Sequence, residues 1–177
     1  AILAPLAFPF SLPPETSTPP SLLWDVHRPH NITDDHVCLV IVVDVASTAT
    51  VIMATSSDPR HPGKAILDGE DGTYWMTTGM YPQEFTLKLQ REKPLTKIRI
   101  ASLNIRHLKV DACFAGQAAT QWTQLQAVEF EDRHGSVQSE ILTVPNAEPI
   151  ALLRFVIASG WQDFSAVYKI NLVANDA

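Results

Sequence analysis

The residues best equipped for chemistry lie between Ala54 and Leu89, where Asp68, Glu70, Asp71 and Thr73 fall within six positions. Gly69 and Gly72 sit among them and let the backbone curl, so that carbonyls can point inward. Hard cations such as calcium take about six to eight oxygens at roughly 2.3 to 2.6 Å, drawn from carboxylates, carbonyls and hydroxyls. This loop can supply several of them. It is not an EF-hand, because counting Asp68 as position one puts Gly79 where that motif needs a glutamate. The same letters also describe an ordinary acidic turn, since Asp and Gly favour turns for conformational reasons alone.

Other constellations offer less. Ser56, Asp58 and His61 are close in sequence, but a catalytic triad is defined by spatial geometry and an oxyanion hole, and neighbouring positions supply neither. No Gly-x-Ser-x-Gly nucleophile elbow and no phosphate-cradling glycine loop occurs, so the chain reads as a non-enzyme. His27 and His30 lack a third and fourth ligand nearby. Cys38 and Cys113 are too few for a disulfide scaffold or a four-cysteine zinc site, and free thiols are expected. Trp75, directly after the oxygen-rich loop, reads as core packing rather than a sugar platform. Trp122 and Trp161 stand in polar stretches and are candidates for anchoring a partner, the use for which tryptophan is enriched at interfaces.

The elements that must position these residues read as β-strands. Phe85, Leu87 and Leu89 alternate, as do Ile98 and Ile100, Leu108 and Val110, Val128 and Phe130, and Phe155 and Ile157. The near-continuous apolar runs 37–45 and 150–158 suit inner strands, and 166–174 closes the series. No window sustains a helical stripe, and Asp-Gly, Pro-Gly and His-Gly pairs punctuate the runs. The expectation is an all-β jelly-roll β-sandwich of eight or nine strands over residues 37–177, with no internal repeat.

Residues 1–36 are different. They hold seven of the 13 prolines, no glycine, and only Glu15 as a charge in the first 24 positions. Prolines this dense forbid a helix and disfavour a central strand, so an extended, disordered arm is expected. The stretch from Ala1 to Leu12 is apolar but lacks the basic start of a secretory signal. Across the chain, 13 Lys and Arg against 19 Asp and Glu give a net charge of -6, the wrong sign for binding nucleic acid by charge. No apolar run reaches the roughly 18 to 20 residues of a membrane-spanning helix, so no membrane insertion is expected.

The string Ser56-Ser57-Asp58, His61-Pro62, Ile66-Leu67-Asp68-Gly69, Thr73-Tyr74-Trp75, Thr77-Thr78-Gly79-Met80 and Pro82-Gln83-Glu84-Phe85 resembles the discoidin, or coagulation factor type C, family. Within it, the likeness is to the small β-sandwich subunits of the intraflagellar transport B complex. Leu153-Arg154-Phe155-Val156-Ile157 and Asp163-Phe164-Ser165-Ala166-Val167 resemble the same subunits, and the likeness covers roughly residues 38–175. The resemblance implies a discoidin-like, galactose-binding-domain-like jelly roll without catalysis. It also implies calcium in the first long loop, and pairing with a Rab-like small GTPase and other B-complex subunits in the cilium or flagellum and cytoplasm. Carried over position by position, the metal site is Ala65, Asp68 and Thr73, of which Ala65 can offer only its carbonyl. The alternative within the discoidin family is an extracellular module that binds glycans or phospholipids through its loop tips. Such modules usually pin their termini with a disulfide, which Cys38 and Cys113 do not obviously form.

Overall fold

A computed structural model of the chain describes residues 42–44, 49–145 and 148–175. The expected arm, 1–36, lies outside them, as do Cys38, His27 and His30. Among the described residues ten strands form two sheets with every neighbouring pair antiparallel. The first sheet runs β1 (Val42–Asp44), β10 (Ala166–Asn175), β5 (Leu95–Leu103), β8 (Gln138–Thr143), with β3 (Trp75–Met76) also paired to β10. The second runs β2 (Ala49–Ala54), β4 (Gln83–Lys93), β9 (Ile150–Gly160), β6 (Ile105–Phe114), β7 (Thr123–Glu129). This is the expected β-sandwich. The count exceeds the expected eight or nine, and β3, only two residues long, is too short for alternation to register.

Period-two patterning places the core. Phe85, Leu87 and Leu89 of β4, Leu108 and Val110 of β6, and Phe155 and Ile157 of β9 are buried, and they join Ile98, Ile100, Ile170 and Leu172 of the other sheet in one cluster. Phe85 and Phe155 are register partners whose rings stack at 4.8 Å. Each such side chain contributes about 1.5 to 3 kcal/mol when fully buried. The run 150–158 falls in β9, an inner strand as expected, whereas the described part of 37–45 is β1, at one end of its sheet's path. Phe130 is buried one residue beyond the end of β7, its N–H donating to the Arg106 carbonyl.

Turns are closed by side chains as well as by backbone. Asn104, with a left-handed φ of 58°, links β5 to β6. The buried Gln138 amide accepts from Ile105 N–H at 3.0 Å and donates to the Ile105 and Glu131 carbonyls at 2.7 and 2.9 Å, so its burial carries no unmet donor. No helix among the described residues is long and apolar enough to cross a membrane.

Candidate functional site

The oxygen-rich loop is launched by a 3-10 turn over Gly63–Leu67, which starts after Pro62 and presses Ala65 and Ile66 into the core. Asp68 caps that turn and is exposed. Its carboxylate accepts the Glu70 N–H at 3.0 Å and the Thr73 hydroxyl at 2.8 to 2.9 Å, and the same hydroxyl lies 3.2 Å from the Glu70 carbonyl. Gly69 holds φ +81°, a left-handed conformation that the curl requires and that a side chain would strain. Asp68 and Thr73, picked out in the sequence, are therefore brought together, and Ala65 lies in the turn that delivers them. The Glu70 and Asp71 residues are exposed. The donors that converge are all oxygen, which suits a hard cation, although one carboxylate is few for a tight site. At the far side Lys169 reaches the Gly69 carbonyl at 3.4 Å. No cluster of three or more His, Cys, Asp or Glu residues placed to hold a metal occurs among the described residues.

The residues that looked triad-like have separate occupations. Ser56 is buried, donates to Gln83 Oε1 at 2.7 Å, and accepts from the Thr78 N–H at 2.9 Å. Asp58 pairs with Arg60, whose hydrogen bonds hold its carboxyl below the usual carboxylate range. The His61 ring stacks on Tyr74 at 4.1 Å. Trp75 is fully buried, its Nε1–H donates to the Ser56 carbonyl at 2.9 Å, and its ring meets Phe85 edge-on at 5.2 Å.

Across the loop ends, a second polar cluster forms. The Tyr81 hydroxyl lies 2.6 Å from Ser165 Oγ and donates to the Gln162 carbonyl at 3.1 Å, while Ser165 N–H donates to Thr77 Oγ1 at 2.9 Å. Burial pushes the Tyr81 phenol up, against the opposing pull of its Ser165 hydrogen bond. A Cβ on Gly160 would collide with the Tyr81 ring and the Asn104 carbonyl, so this packing needs glycine there.

The two tryptophans proposed as anchors have different surroundings. Trp161 is half-buried, donates from Nε1 to the Phe130 carbonyl at 3.0 Å, and carries the Arg106 guanidinium 4.7 Å above its ring. It lines an open hollow of about 730 Å³ with Met80, Tyr81, Gly160 and Phe164. Met80 is 89% exposed and Phe164 43%, so this hollow presents apolar surface to solvent. Trp122 instead lies beneath Arg154, 4.5 Å from its ring, and Arg154 is paired with the buried Asp111 at 2.6 Å. Seven residues separate Arg154, within β9, from Trp161, just past its end, about 23 Å at strand rise, so the two indoles are not brought together.

The sandwich closely matches carbohydrate-binding and discoidin-type modules. A family 32 carbohydrate-binding module of C. perfringens NanJ, solved with galactose, superposes with TM-score 0.63 over 75% of this chain and 99% of that one, at 19% identity. An F5/8 type C domain from Bacteroides fragilis gives 0.62 over 77% and 97%, also at 19% identity. These likenesses show the fold. Sequence decides more: the chain is 33% identical over 134 residues, 75% of its length, to mouse "Intraflagellar transport protein 25 homolog", and covers 91% of that protein. The chain belongs to the intraflagellar transport protein 25 family. Chlamydomonas reinhardtii "Intraflagellar transport protein 25" is 36% identical over 126 residues, 71% of this chain, and the match spans 65% of the algal protein's length. No protein-family model matches.

Within this family member, the polar network around Gln83 and the Arg154 clamp were not singled out by sequence reasoning. A signal for the first was available. Period two puts Gln83 on the same inward face as Phe85 and Leu87, and an amide at an inward position must find partners. For the second there was none, because Asp111, Trp122 and Arg154 meet only through tertiary packing.

Proposed function

We propose that this chain is a non-catalytic subunit of the intraflagellar transport B complex, acting in the cilium or flagellum and the cytoplasm, and that it pairs one to one with a Rab-like small GTPase. The observation that carries this reading is the 33% identity spanning 91% of the mouse relative. The separate occupations of Ser56, Asp58 and His61 support an absence of catalysis at that stretch. Apolar Met80 and Phe164 beside Trp161 offer the kind of anchors that a stable interface of about 1,200 to 2,000 Å² uses. Trp122, already covered by Arg154, is the weaker anchor.

The reading includes calcium at the oxygen-rich loop, with the Ala65 carbonyl, Asp68 and Thr73 as holders. Bound there, the ion would tie the loop's oxygens together and neutralise local negative charge. Asp68 and Thr73 already lie within hydrogen-bond reach of each other, so little rearrangement is required of them.

Co-expression with the GTPase followed by size exclusion, with GDP or a GTP analogue loaded, tests the pairing. Co-elution in both states is expected if the contact avoids the switch loops, because a partner that touches neither switch gains no differential affinity from the γ-phosphate. Met80→Glu should weaken the complex without harming the fold, since that side chain is 89% exposed. Separate elution in both states would sink the assembly reading and promote the glycan- or phospholipid-binding alternative. Co-elution in one state only would make the protein an effector.

A further inference from the structure

The outer face of the first sheet carries an unbalanced row of cations. On β5, Lys97 and Arg99 are exposed two residues apart, so they project from the same face at about 6.7 Å spacing. The next residue on that face, Ala101, is the register partner of Lys169 on β10, which continues the row one strand over, about 4.8 Å away. Their cross-strand partners on this face are Thr143, Ile141, Ser139, Asn171 and Val173, none of them acidic. Glu140 falls opposite the core residue Ile100; it is half-buried and borders the hollow beside Arg99 and Lys169, but it forms no ion pair with either. Among the described residues no carboxylate forms an ion pair with Lys97, Arg99 or Lys169, and Lys169 reaches only the Gly69 carbonyl at one end of the row, where the acidic loop begins. The second sheet's outer face differs, because its Arg154 is neutralised by Asp111.

A hollow of about 280 Å³ lies within this row, lined by Arg99, Lys169, Ser139, Asn171, Glu140 and Ile141. Ile141, 60% exposed on the end strand β8, supplies apolar surface beside the cations. An extended peptide places alternate side chains about 6.7 Å apart on one face, the spacing of Lys97 and Arg99. We propose that this face binds an acidic segment of a partner protein in extended conformation, with carboxylates at alternate positions set against Lys97, Arg99 and Lys169 and an apolar side chain beside Ile141. The chain's net charge of -6 repels acidic peptides in general, so any binding must come from this local row.

The test uses the full chain and a labelled peptide of about seven residues with glutamate at every second position, followed by fluorescence anisotropy. Saturable binding is expected. It should weaken about tenfold in Lys97→Gln/Arg99→Gln, whose side chains are exposed, and weaken again when salt rises from about 50 to 300 mM. Circular dichroism and melting temperature of the double variant should match the parent. A shuffled peptide without the alternation should bind more weakly. Absent binding at millimolar peptide, unchanged affinity in the double variant, or equal affinity for the shuffled peptide would overturn the proposal. Preferential capture of phosphatidylserine vesicles through the same residues would also overturn it, in favour of a lipid surface.

Discussion

Two sets of polar residues, both drawn from positions 56–83, meet opposite fates. Ser56, Gln83 and Thr78 interlock beneath Trp75, so their hydrogen bonds run between segments far apart in sequence, and those of Ser56 to Gln83 and Trp75 are buried. Asp68, Glu70 and Thr73 bond only within their own loop and face solvent at Asp68 and Glu70. Side chains committed to one another in the interior hold the ends of β3 and β4 in place, and exchanging those partners would cost desolvated polar groups. The exposed loop can exchange a hydrogen bond for a ligand at little cost, because water already competes there. Similar residue types thus give a fixture in one place and exchangeable oxygens in the other.

The difference is broken most severely by removing the lid of the buried stretch. Trp75→Ala deletes a fully buried indole, its contact with Phe85 and a donor to the Ser56 carbonyl, and should destabilise by about 3 to 5 kcal/mol in chemical denaturation. A loss under about 1 kcal/mol would mean that Trp75 is not a core residue. Gln83→Leu is next. It keeps the bulk but leaves the buried Ser56 hydroxyl without its acceptor and removes the bonds to the exposed Thr55 hydroxyl and Met80 carbonyl, for about 1 to 3 kcal/mol. An unchanged denaturation midpoint would show that the network is not needed to fix these strands.

How far the sequence reveals this division depends on the range of the interaction. The strands β4, β5, β6 and β9 were legible because one buried face imposes period two on neighbouring residues, as in Phe85, Leu87 and Leu89. Trp75 was legible because a large aromatic among strand signals belongs inside. The loop was legible because Asp68 and Thr73 are local, and their contact spans only five residues. The clamp of Trp122 on Arg154 was not, because Arg154 and Asp111 are separated by 43 residues and no local pattern records their meeting. Likewise β3 exists because β10 offers it a hydrogen-bonding edge, which its own two residues do not announce.

Calcium sharpens the comparison from the other side. If the loop binds the ion, native-state binding stabilises by mass action, about 1.4 kcal/mol when free calcium is about ten times the dissociation constant. Melting temperature should rise with calcium, and Asp68→Asn should reduce that rise more than Glu70→Gln, since only the Asp68 carboxylate meets Thr73. The same titration of Gln83→Leu should give the parent's increment, because its network does not include the loop's oxygens. A wild-type melting temperature unmoved at millimolar calcium would leave the loop as an acidic turn.

The smallest effect is expected from pH, and it asks by chemistry rather than by deletion whether the neighbouring half-buried Tyr81–Ser165 cluster behaves like the interior stretch or like the loop. Burial raises the Tyr81 phenol above its ordinary value near 10, whereas the unfolded chain leaves it there. The folded state therefore holds the phenol proton more tightly. Its contribution is fully present below pH of about 10 and is lost as pH climbs toward the raised folded value, since the unfolded state ionises first. The steepening of alkaline destabilisation just above that pH should shrink in Tyr81→Phe, which has no phenol to ionise. Tyr81→Phe also removes the bonds to Ser165 and the Gln162 carbonyl, so its stability at neutral pH is lower and the slope, not the midpoint, is the diagnostic. Denaturation midpoints measured from about pH 8 to 11 give that slope. If parent and Tyr81→Phe lose stability in parallel across this window, the Tyr81 hydroxyl is exchanging with water as freely as the loop does, and the Tyr81–Ser165 cluster sides with the open loop rather than with the interior network.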